Sequence, residues 1–522
     1  MSQAGTQARA AVGSAGATTQ AVGGDAAARA SVTKAPAGSA AGSAPGAAVM
    51  SVTGAADASL TGAADASAAS TTGTSPASTA AASLANETDA SVTATADANV
   101  THAAAASPTN TADTNPTSPA ASSGSGQNGQ AVQSPPSVPT QEGPAGIRFD
   151  FNDGCRVMLP QGDGDWRVLL RDTATANPLF ETQISAGVVA SSKKYYVPFE
   201  IEVWSQGKEV FRHRLDLSGR NVLVHLPVGT LGDTLGWFPY VAKFERQHRC
   251  KLTCVMAEPL IPLFTHAYPS ITLATPDAVD ANDFYATYNI GLFFTDDANV
   301  RQPCDFRLVG LHRTAAYILG VDPREERPEI VLPDSSRPIP EPYVCIAAQS
   351  TTQCKYWNNP SGWREIVQFL KQAGYRVICI DQKATHGSGV VWNHIPYGSE
   401  DFTGERPLAE RARWLKHAAF FVGLSSGLSW LAWTMRTPVV MISGFTHPTN
   451  EFDTPYRVIN YHTCNSCWND VRVQFDHHDF LWCPRHANTP RQFECTRLIT
   501  AEQVISTIRR IPAFGAQPEA AV

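Results

Sequence analysis

The chain has 522 residues, a formal charge of −7 and 11 cysteines. Nothing in it approaches 18 uninterrupted apolar residues, and the start lacks the charged-then-apolar pattern of a signal peptide, so neither a membrane span nor an exported, disulfide-framed protein is predicted. From Met1 to Gly143 there is no Phe, Tyr, Trp or Cys, and removing that segment's 3 basic and 8 acidic residues leaves 37 basic and 39 acidic ones, a balance that excludes broad nucleic-acid binding.

Residues 1–145 read as a disordered, low-complexity arm of Ala, Ser, Thr and Gly, because they cannot bury enough apolar surface to offset the entropy of ordering. The heptapeptide Thr-Gly-Ala-Ala-Asp-Ala-Ser occurs in it twice, at 53–59 and 61–67. Residues 146–220 alternate short apolar strands (147–151, 157–159, 167–172, 195–204, 210–217) with Gly-containing turns and predict a small β-rich, barrel-like domain. At Asn221 the rhythm changes. Strands at 222–228, 252–256 and 271–275 alternate with helices at 234–246, 259–267 and 306–319, which predicts a doubly wound α/β domain over 221–325. The Pro-studded stretch 322–342 reads as a linker. A second α/β domain, 326–456, follows with strands at 343–348, 375–380, 420–422 and 439–442. Its helices are expected at 362–373 (Ser361 as cap, Gly374 as stop), 407–416 and 427–435. Residues 457–498 form a cysteine-rich finger and 499–522 a C-terminal helix and tail. Two such α/β domains in tandem place a ligand cleft between the carboxyl ends of their sheets.

Four strand-end segments carry candidate chemistry. The loop Gly229-Thr230-Leu231-Gly232-Asp233 is neither a dinucleotide fingerprint nor a P-loop. Asp233 fits a general base aimed across the cleft and fits equally a plain helix N-cap. In the loop 349–357, Lys355 is placed to neutralise a diphosphate, with Gln349 and Thr351 as donors, against the bland reading of a solvated lysine. Asp381-Gln382, at the next strand end, is where an acid or amide meets a ribose. Gly423-Leu-Ser-Ser-Gly-Leu-Ser-Trp430 puts small residues and free N–H groups at a helix start, an anion site, although any of its serines also serves as a cap. Trp430 and Trp433 read as helix core, and His225, His248, His266 and His312 as structural.

Cys464-x2-Cys467, then Cys483 and Cys495, give four thiolates able to enclose a tetrahedral ion. The last step departs from a second C-x2-C knuckle. His486, His477 and His478 therefore compete as fourth ligand, and the spacing does not choose between zinc and iron. Four unrelated buried cysteines are the bland alternative.

The segments 228–235 (Val-Gly-Thr-Leu-Gly-Asp-Thr-Leu), Gln349-x-Thr351-x3-Lys355-x-Trp357 and 423–432 (Gly-Leu-Ser-Ser-Gly-Leu-Ser-Trp-Leu-Ala) resemble the heptosyltransferases. The four-cysteine finger and β-rich front domain resemble the autotransporter branch of that family. The resemblance covers about 146–512. It implies a GT-B fold and transfer of heptose from an ADP-activated donor to serines of an autotransporter adhesin passenger, a protein O-glycosylation in the cytoplasm. It further implies one iron ion (Fe3+, with zinc as the alternative) per subunit on Cys464, Cys467, Cys483 and Cys495, no divalent metal at the diphosphate, and a dodecameric homo-oligomer. Carried over residue by residue, Asp233 is the base. Thr230, Leu231, Gly232, Gln349, Thr351, Lys355, Gln382, Gly427, Leu428, Ser429 and Glu451 contact the sugar nucleotide. Where the lipopolysaccharide-core enzymes have Asp-Thr-Gly-Leu-Ser-His, this chain has 425–430 as Ser-Ser-Gly-Leu-Ser-Trp. A lipopolysaccharide-core enzyme and a non-catalytic metal-finger interaction protein are the competing functions.

Overall fold

A computed structural model describes residues 132–162, 164–227 and 230–514. The expected arm lies outside these residues as far as 131. Its last part does not: 132–145 is bonded to the body, ahead of the expected boundary at 146. Pro136 and Pro139 carbonyls accept from Arg156 Nη1 (2.7 Å) and Arg148 Nε (2.9 Å), and Gln141–Glu142 pairs with Arg148–Asp150 as a strand. Hydrogen bonds to its backbone groups hold this strap together with the buried Pro136 and Pro139, and none of these gives the segment an aromatic or aliphatic run that composition would reveal.

The β-rich part consists of two antiparallel four-stranded sheets. One comprises Gln141–Glu142, Arg148–Asp150, Arg156–Leu159 and Gly187–Ala190. The other has Trp166–Asp172 at its centre, flanked by Pro178–Ile184 and Phe199–Ser205, with Lys208–Arg214 outermost. Aromatics from the two sheets pack together: Phe149 lies 5.0 Å from Phe211 and 4.4 Å from His213, ring centre to ring centre. The expectation missed Pro178–Ile184 because this edge strand is exposed and lacks apolar alternation. The expected strand at 195–204 begins only at Phe199, after Pro198.

The first α/β domain has a parallel sheet in the order Thr272–Ala274, Lys251–Val255, Asn221–His225, Ala286–Asn289. Phe151 bridges to Ala286, joining this sheet to the β-rich part. The helix expected at 306–319 is broken into Phe306–Val309 and Leu311–Leu319. Gly310 lies between them at φ 95°, and a Cβ there would sit 2.0 Å from the Thr449 carbonyl oxygen, so only glycine fits.

The second α/β domain has a six-stranded parallel sheet: Glu400–Asp401, Arg376–Cys379, Tyr343–Ile346, Phe421–Leu424, Val439–Ile442, Arg457–Val458. Gly374 stops the helix Gly362–Gln372 at φ 87°, as expected. Its first turn is not capped by the Ser361 side chain. Asn359 Oδ1 instead accepts from the Ser361 and Gly362 N–H groups, at 3.1 and 3.0 Å. The C-terminal helix Ala501–Ile508 opens with a Thr500/Gln503 capping box and packs on this domain's core. Among the described residues no helix is long and apolar enough to cross a membrane.

The helices Leu231–His248 and Gly427–Thr434 meet across the two domains. A Cβ on Gly232 would lie 3.0 Å from Trp430 Cδ1, and one on Gly427 would lie 2.9 Å from Leu231 Cβ. Glycine at both positions lets two helix starts approach head to head.

Candidate active site

The cleft between the α/β domains is a cavity of about 1150 Å³. Its first wall begins at Thr230, the N-cap of Leu231–His248, where the chain is extended (φ −77°, ψ 159°). The helix starts three residues earlier than expected, so Asp233 is not the cap but sits in the first turn. Its half-buried carboxylate accepts from the backbone N–H and hydroxyl of Thr230. Burial pushes its pKa up, while the Lys355 charge and the Thr230 bonds pull it down. The net shift is upward, toward a better proton acceptor.

Lys355 faces it from the second domain, in the turn Gln353–Lys355. Burial lowers its pKa; Cys354 and Asp233 work the other way. The two groups feel each other's charge but form no ion pair among the described residues, which leaves room for a ligand between them. The Lys355 loop is tied down by a residue that the sequence places at a ribose. Asp381 is buried, and its carboxylate accepts from the backbone N–H groups of Ala348 (2.8 Å) and Gln349 (3.3 Å), with burial raising its pKa to about 6. Gln382 stays exposed on the rim.

The second helix start is open. Ser426 makes no side-chain cap to Gly427–Thr434, so first-turn N–H groups remain for an anion. Four buried polar atoms of cleft residues have no partner among the described residues: Gln349 Nε2, Ser426 Oγ, Asn450 Oδ1 and Trp468 Nε1. Unsatisfied buried polar atoms cost about 1–3 kcal/mol each, so their clustering here points to a polar ligand.

Of the expected contacts, Thr230, Leu231, Gly232, Gln349, Thr351, Lys355, Gln382, Gly427, Leu428 and Glu451 line the cleft together with Asp233. Ser429 does not. It is fully buried, and its hydroxyl donates back to the Leu424 carbonyl. Glu451 reaches the lining with both carboxylate oxygens engaged, by Ser443 (3.0 Å), Thr446 and Arg457. Trp430, expected as core, is buried and also lines the cleft. Sequence reasoning passed over Arg411, which is buried and donates to the carbonyls of Ile380, Asp381 and Gly404. It also passed over His477 as a lining residue. Neither carries a spacing that would single it out.

The finger surrounds Phe445 with aromatic rings, those of Trp468, Phe475 and Trp482 lying 5.4–5.8 Å away centre to centre. Its four cysteines lie in one another's electrostatic field. Cys467, Cys483 and Cys495 are buried and Cys464 is partly so. Burial, Glu494 and the neighbouring thiols push Cys464 up to about 12; burial and the other three thiols push Cys495 up. A cation would relieve that mutual penalty, so the donor set fits a thiolate-held ion. The most tightly grouped donors, all within 4.8 Å of one another, are however Cys464, His486 and Glu494. The structure therefore keeps His486 as a rival ligand and adds Glu494, which the sequence reading did not consider.

Two parallel α/β sheets facing across a cleft, with converging helix starts at Leu231 and Gly427 and a carboxylate opposed to the lysine of the Gln353–Lys355 turn, have the architecture of a sugar-nucleotide glycosyltransferase. Residues 143–207 match the N-terminal domain of glycosyltransferase TibC, and residues 319–473 match glycosyltransferase family 9 (heptosyltransferase). The chain is 56% identical over 382 residues to the autotransporter heptosyltransferase BAHTCr of Citrobacter rodentium, covering 73% of this chain and 92% of that protein. It is 53% identical over 401 residues to the inactive autotransporter heptosyltransferase BimC of Burkholderia thailandensis, covering 76% and 93%. The crystal structure of the dodecameric iron-containing heptosyltransferase TibC in complex with ADP-D-beta-D-heptose superposes with a TM-score of 0.70 at 55% identity, covering 72% of this chain and 98% of that one. The chain belongs to the autotransporter heptosyltransferases of glycosyltransferase family 9.

Proposed function

We propose that the protein moves heptose from ADP-glycero-manno-heptose onto serines of an autotransporter adhesin passenger, with inversion at the anomeric carbon. The observation that carries this is the opposition of Asp233 and Lys355 across a cleft whose two helix starts converge. Lys355 and the open N–H groups at Gly427 and Leu428 stabilise the charge that develops on the departing ADP. Asp233 takes the proton of the acceptor hydroxyl as its oxygen attacks from the face opposite ADP. With an ammonium and helix N–H groups at the diphosphate, no divalent metal is required there. Gln349, Thr351 and Gln382 supply polar contacts to the donor. Glu451, held by Arg457, shapes the pocket floor, and Ser429 acts through its helix rather than through its hydroxyl.

Cys464, Cys467, Cys483 and Cys495 would hold the single iron ion, with zinc the alternative metal. Bound there, it would cross-link the finger and play a structural part. A cytoplasmic site of action and a dodecameric assembly complete this reading, by likeness to TibC.

The likeness to an inactive relative raises a second reading, a binding protein on the same scaffold. Incubation with ADP-heptose and a passenger repeat peptide or core lipid separates the readings. A heptose mass increment on the peptide is expected. An increment on the lipid alone would move the function to lipopolysaccharide core, and transfer to neither, with ADP-heptose still bound, would leave the binding protein.

A further inference from the structure

We propose that the cleft-facing part of the cysteine finger is the acceptor subsite, an aromatic wall that holds an extended polypeptide beside Asp233 with the indole N–H of Trp468 as its hydrogen-bond donor. This rests on the heptosyltransferase reading above and names the part of the molecule that selects its acceptor. Trp468, Phe475 and His477 of the finger line the cavity together with Leu292 and Phe294 of the first α/β domain. Their rings meet across the domain boundary. Phe294 lies 5.5 Å from Trp468 and 6.2 Å from His477, ring centre to ring centre, close to perpendicular in both cases, and His477 lies 4.4 Å from Phe475. Asn469 Nδ2 donates to the Arg307 carbonyl (2.8 Å), so a finger that follows the second domain in the chain is fastened to the first.

Position assigns this wall to the acceptor. Lys355 and the helix start at Gly427, which take the ADP, belong to the second domain. Asp233, which takes the acceptor's proton, belongs to the first. Phe294 follows the strand Ala286–Asn289, which pairs with Asn221–His225, the strand that leads into the Thr230–Asp233 turn. The wall therefore stands on the side from which the attacking hydroxyl arrives. Its chemistry suits a polypeptide. None of the five side chains carries a carboxylate, an ammonium or a guanidinium, so the wall offers no fixed charge to pair with an anionic glycolipid. Trp468 is 9% exposed, and its Nε1–H has no partner among the described residues. An indole can only donate, and a buried donor left unpaired is costly. An extended chain supplies a carbonyl at every residue, and flat aromatic rings give the side chains beside the serine contact area at little entropic cost.

The test is steady-state transfer to passenger peptide by full-length protein carrying Trp468→Phe, which keeps a ring and deletes the donor, or His477→Ala, at an exposed position. Peptide KM is expected to rise about three- to tenfold in each, the worth of one hydrogen bond or ring contact, with the loss falling on KM rather than kcat. The Kd of ADP-heptose, measured separately, should stay within about twofold. Metal content and circular dichroism report whether the finger is intact, and if Trp468→Phe loses its metal or its fold, His477→Ala decides. Unchanged peptide KM overturns the proposal. So does weaker ADP-heptose binding at constant peptide KM, which would give the wall to the donor. In both cases transfer to the peptide by the parent protein leaves the heptosyltransferase reading intact. Transfer by the parent to core lipid alone overturns the polypeptide acceptor, and transfer to neither overturns both.

Discussion

The backbone N–H of Gln353 donates to the carbonyl of Phe480 at 2.9 Å, which ties the turn that carries Lys355 to the cysteine finger. Two more bonds fasten the same loop to residues just beyond Cys495: Asn358 Nδ2 to Thr496 Oγ1, and Trp357 Nε1 to the Ile499 carbonyl, both 2.9 Å. The ring of Phe445, around which the finger packs, lies 5.9 Å from Lys355 Nζ. The finger thus buttresses the Lys355 loop of the cleft.

Metal removal should therefore weaken ADP binding without unfolding the two α/β domains. A Cys467→Ser variant, or chelated protein, is expected to bind ADP about 10-fold more weakly, roughly 1.4 kcal/mol. Calorimetric titration checks this, with circular dichroism as the fold control. Unchanged affinity in metal-free protein would remove the buttress argument.

Replacing Asp233 by Ala should lower the transfer rate by roughly 10²–10⁴-fold, the usual size of a lost general base. ADP-heptose affinity should change less than about threefold. Single-turnover transfer and equilibrium binding, measured separately, give the two numbers. A variant with full activity would rule Asp233 out as the base.

Lys355→Ala should reduce the rate by about 10²–10³-fold by removing stabilisation of the leaving diphosphate. Arg should rescue it only partly, since a forked guanidinium does not reproduce a compact ammonium in an enclosed turn.

The pH dependence follows from the two opposed shifts. Asp233 must be ionised, and its pKa is raised, so the acidic limb of kcat/KM should lie above the ordinary aspartate value of 3.8. Lys355 must be protonated, and its pKa is lowered, so the alkaline limb should lie below 10.5. A bell narrower than free side chains would give is expected, and Lys355→Arg should move its alkaline limb upward.

Gly310→Ala should destabilise the fold by about 1–3 kcal/mol from its backbone conformation alone, and by more because a Cβ there meets the Thr449 carbonyl. Chemical denaturation measures this, with Gly404→Ala, also at positive φ but in open space, as the comparison.

Several elements are legible in the chain itself. The buried strands of both parallel sheets announce themselves as short apolar runs, since both faces are covered. Asp233 and Lys355 stand out because each follows such a strand, at the end where ligands of open sheets bind. The four cysteines are visible from spacing. Other features are not local. Pro178–Ile184 is a strand only because Trp166–Asp172 pairs with it. The strap 132–142 is held in part by partners more than one hundred residues away, such as Asn289 and Phe284.

Sequence alone thus determined the two-sheet plan, the cleft and the residue types able to work in it. These follow from hydrophobic period and from what each side chain can donate or hold. Only the tertiary structure decided what each group faces. It turned Ser429 and Asp381 inward, occupied Glu451 with Arg457, and set His486 and Glu494 beside Cys464. It also seated the finger behind the Lys355 loop. The physical reason is that burial and hydrogen-bond partners depend on distant segments brought together by packing, and no local pattern encodes them.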